Sequence, residues 1–125
     1  MGDIRRIRCR SCKSEWVIRT GCGLQHGNLG KLVELFEAKE AQHIGIYSSQ
    51  IPPVMYDFRY EPAICSACSQ IISVPVLEFP EQDEKYTGVC PVCRRKVKNV
   101  EKIENIACPI CNENLLEENV TGEWD

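Results

Sequence analysis

The sequence predicts a small, stapled α+β fold, mainly β, built as two β-rich units with one helix inserted in the first. Three observations carry this expectation. Eight of the nine cysteines fall into four Cys-x-x-Cys pairs, Cys9/Cys12, Cys65/Cys68, Cys90/Cys93 and Cys108/Cys111. The segments flanking these pairs are rich in β-branched and aromatic residues, and one of them alternates cleanly. A single stretch, 29–44, carries a helical period.

At 125 residues the chain makes one ordinary domain or two very small ones. Neither half alone would bury an adequate apolar core, so staples are expected. The cysteines come as close pairs rather than at scattered spacings. The start, Met1 to Arg6, is polar, and no apolar run resembles a signal peptide or reaches the length that spans a bilayer. A reducing, cytoplasmic setting without membrane contact is therefore expected. There, paired cysteines bind metal more often than they crosslink.

Net charge is −3 and unevenly spread. The first Cys pair is surrounded by Arg5, Arg6, Arg8, Arg10, Lys13 and Arg19, and the third is followed by Arg94, Arg95, Lys96 and Lys98. The C-terminal segment is acidic, with Glu113, Glu117, Glu118, Glu123 and Asp125. The plain reading of the basic residues is local electrostatics around thiolates and solvated faces. The sharper one is a phosphate-contacting patch. An acidic chain with few aromatic residues speaks against strong nucleic-acid binding.

Taken in order, residues 4–20 read as strand, Cys knuckle, strand, with Ile4 and Ile7 before the pair and Trp16, Val17 and Ile18 after it. Gly21, Gly23 and Gly27 mark tight turns. Asn28 is placed to cap the helix, Leu29, Leu32, Val33 and Phe36 form its apolar face, and Gly45 is its expected stop. Pro52-Pro53 breaks the chain. Val54, Tyr56, Phe58 and Tyr60 then alternate with Met55, Asp57, Arg59 and Glu61 in a half-buried strand leading into Cys65. Ile71 to Leu77 reads as a further strand, which Pro75 assigns to an edge or a bulge. The polar run 80–85 reads as a linker between units 1–80 and 86–125. Between Cys93 and Cys108 lie fourteen residues, which fit a short hairpin, and the acidic C-terminal tail offers Leu115, Leu116, Val120 and Trp124 for packing back.

A two-residue gap lets both sulfurs of a tight turn face one point, and two such turns complete a tetrahedral thiolate site. Four turns give two all-cysteine sites, with two zinc ions per chain as the expected cofactor. Cys90-Pro91-Val92-Cys93 and Cys108-Pro109-Ile110-Cys111 are near copies. With their spacing, the stretch 88–118 resembles a zinc ribbon, in which two knuckles at hairpin ends clasp one zinc. The Cys-Pro-x-Cys form is also similar to rubredoxin knuckles, although the glycine that usually follows is Arg94 in one and Asn112 in the other. This resemblance implies sequential pairing: Cys90, Cys93, Cys108 and Cys111 in one site, Cys9, Cys12, Cys65 and Cys68 in the other. The second pairing spans a gap of fifty-two residues, and loop closure becomes costlier only slowly with length. The competing topology is a cross-brace, Cys9/Cys12 with Cys90/Cys93 and Cys65/Cys68 with Cys108/Cys111. The order of knuckle, Gly21-Cys22-Gly23, helix and further knuckles also loosely resembles a group of uncharacterised bacterial zinc-ribbon proteins, a resemblance that implies no activity.

Zinc bound to four thiolates has no open position, so both sites read as structural rather than catalytic. Iron, as in rubredoxins, is the competing metal and would bring electron transfer. Cys22 is the thiol left over. It reads as a small residue at a crowded turn, or as a reactive thiol beside His26. His26 reads as a loop or cap residue, and His43 as a residue near the helix C-terminus, where a cation is mildly favoured. No nucleophile–base arrangement is evident. The expected function is a non-enzymatic, zinc-binding scaffold or interaction module whose partner is another protein. The alternatives are nucleic-acid binding through the basic knuckles and rubredoxin-like or dithiol redox chemistry.

Overall fold

A computed structural model describes residues 2–22, 29–51, 54–100 and 102–124. Seven strands form one antiparallel sheet: β1 (Gly2–Cys9), β2 (Glu15–Gly21), β3 (Asp57–Cys65), β4 (Gln70–Phe79), β5 (Glu84–Thr87), β6 (Lys98–Asn99) and β7 (Leu116–Trp124). Two short helices, α1 (Leu29–Leu32) and α2 (Ala38–Ser48), lie between β2 and β3. The order across the sheet is β5-β4-β3-β2-β1-β7, and β6 pairs with β3. The chain is thus small and mainly β, as its residue pattern predicts. Among the described residues no helix is long and apolar enough to cross a membrane.

The helix expected over 29–44 is broken. After α1 comes one 3-10 turn, Val33–Leu35, and Phe36 and Glu37 are extended before α2 begins. The break turns Phe36 inward, where it is buried with Leu29, Leu32, Ile44, Phe58, Leu77 and Phe79. Gly45 does not stop α2, which continues to Ser48. The extra turn sets Tyr47 against Phe79, ring centroids 4.5 Å apart. The proposed cap, Asn28, lies outside the described residues.

Pro75 stands where β4 becomes an edge on one side: β4 pairs with β3 over Gln70–Glu78 and with β5 only over Val76–Phe79. Pro75 sits just where β5 has ended, so its missing N–H faces a side that needs no ladder bond. Its carbonyl on that side accepts from Gly88 N at 2.8 Å. A Cβ on Gly88 would stand 2.6 Å from the Pro75 ring, so glycine is required for this approach.

The unit boundary expected at residues 80–86 falls inside the β4–β5 hairpin. There a 3-10 turn, Pro80–Gln82, and Asp83 at φ 53° reverse the chain. Strands from beyond this point return to the first part of the chain. β6 pairs with β3 instead of forming a hairpin with its neighbours, because Val100 and Ile103 are drawn into the core. The acidic tail is strand β7, paired with β1 from Gly2↔Trp124 to Cys9↔Leu116.

β2 and β3 meet only at Gly21↔Tyr60 and then diverge. The wedge between them is filled from the last third of the chain. Val100, Ile103, Cys108 and Leu116 pack with Ile7, Cys9, Trp16, Ile18 and Ile71. Trp16 Nε1–H donates to Gln70 Oε1 at 2.9 Å and ties the tops of the two hairpins together.

At the other end of β7, Trp124 is buried, and its Nε1–H donates to Thr20 O at 3.1 Å. The Arg19 guanidinium lies 5.5 Å from the ring centroid. A side chain on Gly2 would collide with this indole. We expect Trp124→Ala to cost about 3 kcal/mol, measured by urea unfolding. Backbone amides of β1 and β7 should lose exchange protection before those of β3 and β4.

Candidate metal centres

Each Cys-x-x-Cys pair closes a turn at the end of a strand or loop, and all four turns share one backbone design. The residue after the second cysteine is left-handed: Lys13 at φ 68°, Ser69 at 53°, Arg94 at 64° and Asn112 at 64°. These are positions at which glycine is the easiest residue, and none of the four is glycine. The strain is offset by paired backbone bonds. Lys13 N donates to Cys9 O at 3.0 Å and Cys9 N to Ser14 O at 2.9 Å. Arg94 and Asn112 make the same bond to Cys90 and Cys108, whose own N–H groups reach Arg95 O and Glu113 O. In the second turn Cys65 pairs with Gln70 at the start of β4. In every pair the first cysteine is buried and the second half-exposed.

The eight sulfurs gather into two groups of four, within each of which the ligand atoms lie within 4.8 Å of one another. One group is Cys9, Cys12, Cys108 and Cys111; the other is Cys65, Cys68, Cys90 and Cys93. This is neither the sequential nor the cross-brace pairing expected from the sequence. The first pair joins the last, and the second joins the third. The reason is the sheet: β7 follows the fourth pair and lies on β1, which leads into the first, whereas β6 follows the third pair and lies on β3, which leads into the second.

The spacing of the sulfurs fits one tetrahedral ion per group. Zinc–sulfur bonds of about 2.3 Å place neighbouring sulfurs about 3.8 Å apart. Separations between turns include 3.5 Å (Cys9–Cys111), 3.7 Å (Cys12–Cys108), 3.5 Å (Cys65–Cys93) and 4.0 Å (Cys68–Cys90). All nine cysteines are unbridged. In the first group Ile110 N lies 3.4 Å from Cys108 Sγ, oriented to donate to it.

Four thiols so close cannot all ionise on their own. Contacts with the Ser14 hydroxyl and backbone bring the Cys12 thiol down to about 6. Its Sγ is 3.2 Å from Ser14 Oγ. In the other group, hydrogen bonding to Cys93 and Cys65 pushes Cys68 up to about 12. A thiolate beside a neighbour makes that neighbour hold its proton, so full ionisation of either group calls for a cation at its centre. Ser14 is the site residue that sequence reasoning missed. Its signal was a hydroxyl two residues after a ligand.

The other candidates are less engaged. Cys22 is half-buried just after β2 and adds, after burial, to the upward shift of the Tyr56 phenol. His26 lies outside the described residues, so the proposed Cys22–His26 pairing does too. His43 is an exposed residue within α2. Much of the basic first knuckle is neutralised: Arg5 pairs with Glu118 at 2.6 Å, Arg8 with Glu15 at 3.7 Å and Arg10 with Glu117 at 3.2 Å. Arg94, Arg95, Lys96 and Lys98 are all exposed.

No protein-family model matches the chain, and neither does any curated protein or solved structure. The class therefore rests on the geometry. Two four-cysteine groups in a small, mainly β chain fit a zinc-ribbon-like motif and suggest metal binding with a structural role.

The nested pairing has a direct consequence for double variants. Cys9→Ser with Cys108→Ser should cost one bound ion per chain, as should Cys65→Ser with Cys90→Ser. Cys9→Ser with Cys65→Ser should weaken both sites. Native mass spectrometry of the three proteins distinguishes this pattern from sequential pairing, under which Cys9→Ser with Cys65→Ser would spare one site.

Proposed function

We propose that both four-cysteine groups hold zinc, that this zinc is structural, and that the protein is a non-enzymatic scaffold or interaction module that engages another protein. The observation that carries the reading is the closed donor set. Four thiolates satisfy a tetrahedral ion and leave no position for water or substrate. Rubredoxin-like turns also accept iron, so the identity of the metal is part of the proposal. Unbridged cysteines at these eight positions are in keeping with a reducing, cytoplasmic setting.

Structural zinc contributes on the order of 10–16 kcal/mol of binding free energy in small peptides near pH 7, as much as or more than a typical domain's net stability. The sheet geometry supports that role here, since one group joins β1 to the segment before β7 and the other joins the β3–β4 turn to the segment before β6. What remains for function is surface. Zinc-stapled turns hold short loops and strand edges rigidly, and rigid surfaces bind at low ordering cost.

A second reading, nucleic-acid binding, draws on the exposed run Arg94, Arg95, Lys96 and Lys98. It draws less on the first knuckle than the sequence alone suggests, because Arg5, Arg8 and Arg10 already face carboxylates.

Native and denaturing mass spectrometry of freshly purified protein tests the metal assignment. Two zinc ions per chain with no disulfide is the expected result. A red protein with visible absorption would replace zinc by iron and favour the redox reading. Strong chelation should abolish the cooperative circular-dichroism melt; an unchanged melt after verified metal removal would sink the structural role. Retention on immobilised DNA that falls steeply with salt would move the nucleic-acid reading to the front.

A further inference from the structure

We propose that the cleft beside the third Cys turn, together with the basic run 94–98, is a docking site for an acidic protein segment that carries one apolar anchor. The proposal rests on the interaction-module reading and names the surface and the partner chemistry. The cleft has a volume of about 320 Å³, at the small end of ligand pockets. Its walls include Leu35, Tyr60, Pro75, Val89 and Pro91. Two exposed charges also line it, Arg94 and Glu34. Val92, next to Pro91 at the tip of the same turn, is 79% exposed and adds apolar surface. An apolar side chain of a partner seated in the cleft would take these walls out of water.

The walls are fixed before any partner arrives. Gly88 N–H donates to Pro75 O at 2.8 Å, and a Cβ on Gly88 would lie 3.5 Å from Leu35 O. The 3-10 turn Val33–Leu35, strand β4 and the segment after β5 therefore meet at one point. Arg94 is placed by its own turn, at φ 64° with its N–H on Cys90 O at 2.9 Å. Cys90 and Cys93 belong to the second four-cysteine group. A preformed surface loses little freedom when a partner binds to it.

Charge selects the partner. Residues 94–98 carry four cations, Arg94, Arg95, Lys96 and Lys98, and no carboxylate. All four are exposed, and among the described residues none of them forms an ion pair, unlike Arg5, Arg8 and Arg10. Lys96 acts on Glu40 of α2 at longer range. Glu34 is the one carboxylate lining the cleft, so the partner's acidic residues belong on the side of Arg94 and Arg95. Nucleic acid fits less well. Among the described residues every aromatic side chain is buried or half-buried, so bases have no open ring on which to stack. A phosphate also gains nothing from an apolar cleft. A second copy of the chain fits poorly too, because its acidic run 113–118 is already engaged: Leu116 is buried, and Glu117 and Glu118 face Arg10 and Arg5.

Fluorescein-labelled probes titrated into the metal-loaded full chain provide the test. They are a short Asp/Glu peptide with one central Leu, its analogue with Ser in place of Leu, a Lys peptide with the same central Leu, and a single-stranded oligothymidine. The acidic Leu peptide should bind about tenfold or more tightly than the Ser analogue and than the Lys peptide. Amide signals of Leu35, Val89 and Arg94 should shift during its titration. Arg94→Asn with Arg95→Gln should weaken its binding about tenfold or more with metal content unchanged; asparagine tolerates the left-handed backbone at the first position. Ser73→Phe places a ring in the cleft and should remove the preference for Leu over Ser, again with metal content unchanged. Absence of binding, equal binding of the Leu and Ser peptides, undiminished binding by the Arg94/Arg95 variant, or a Leu preference retained in Ser73→Phe would overturn the proposal. So would tighter binding of the oligothymidine, or self-association of the free chain that the Arg94/Arg95 variant loses. A protein captured from cell extract equally well by the wild type and both variants would overturn this site while leaving the interaction-module reading standing. Failure of any protein to be captured, together with retention on DNA, would remove both.

Discussion

The turn that brings the two sulfurs of a Cys-x-x-Cys pair to one point is the constraint on which the rest of this fold depends. Each turn is tight enough to force a left-handed residue after its second cysteine, and each offsets that strain with backbone bonds to the first. Such a turn has little stability alone. It becomes a fixed point when a second turn faces it and a cation holds the four thiolates together. The strand that follows each facing turn lies beside the strand that leads into its partner, β7 on β1 and β6 on β3. Turn pairing and sheet order hold each other in place, and the burial of Trp124 and the filling of the wedge between β2 and β3 accompany them.

The two groups are not equivalent in how they close the chain. Cys65 and Cys93 are 28 residues apart, whereas Cys9 and Cys111 are 102 apart. For a flexible chain the longer loop costs about 1 kcal/mol more to close. The architecture removes much of that difference. The segment from β3 to β6 carries its own hairpin, its own facing turn and a returning strand, and so forms an inner copy of the scheme that β1, β2 and β7 make around it. Once the inner copy has formed, the outer pair of turns is brought close, and closing it calls for a much smaller search. In chain order the Cys65/Cys68/Cys90/Cys93 group is nested inside the Cys9/Cys12/Cys108/Cys111 group.

The ligands and the β character were legible in the sequence because they are local. A two-residue gap between cysteines and a run such as Val54 to Tyr60 carry their meaning within a few residues. The pairing of the turns was not legible, because it is decided by which strands become neighbours over long separations. A signal for it was nevertheless present. The basic first strand and the acidic tail were visible as an uneven charge distribution, and they prove to be partners: Arg5 meets Glu118 and Arg10 meets Glu117 across β1 and β7. Read as separate surface patches, they suggested a phosphate-contacting patch and an acidic tail with a few apolar residues to pack back. The helix breaks for a similar reason. The period over 29–36 is real, but the core formed by Phe58, Leu77 and Phe79 required Phe36 and Ile44 from different directions, and packing overrode propensity at Phe36–Glu37.

A chain this short ordinarily spends most of its apolar residues on a core, and little is left with which to recognise another molecule. Metal clasps change that division. Under the proposed metal binding, structural ions would contribute stability comparable to a whole domain's, and Val92 and Val120, exposed on a turn and on an edge, would not be needed for burial. The same clasps keep those positions from moving. An exposed edge strand is a liability in a loosely held sheet, where it can slip register and pair with itself. In β7 the fourth turn at one end and Trp124 at the other hold the register against β1.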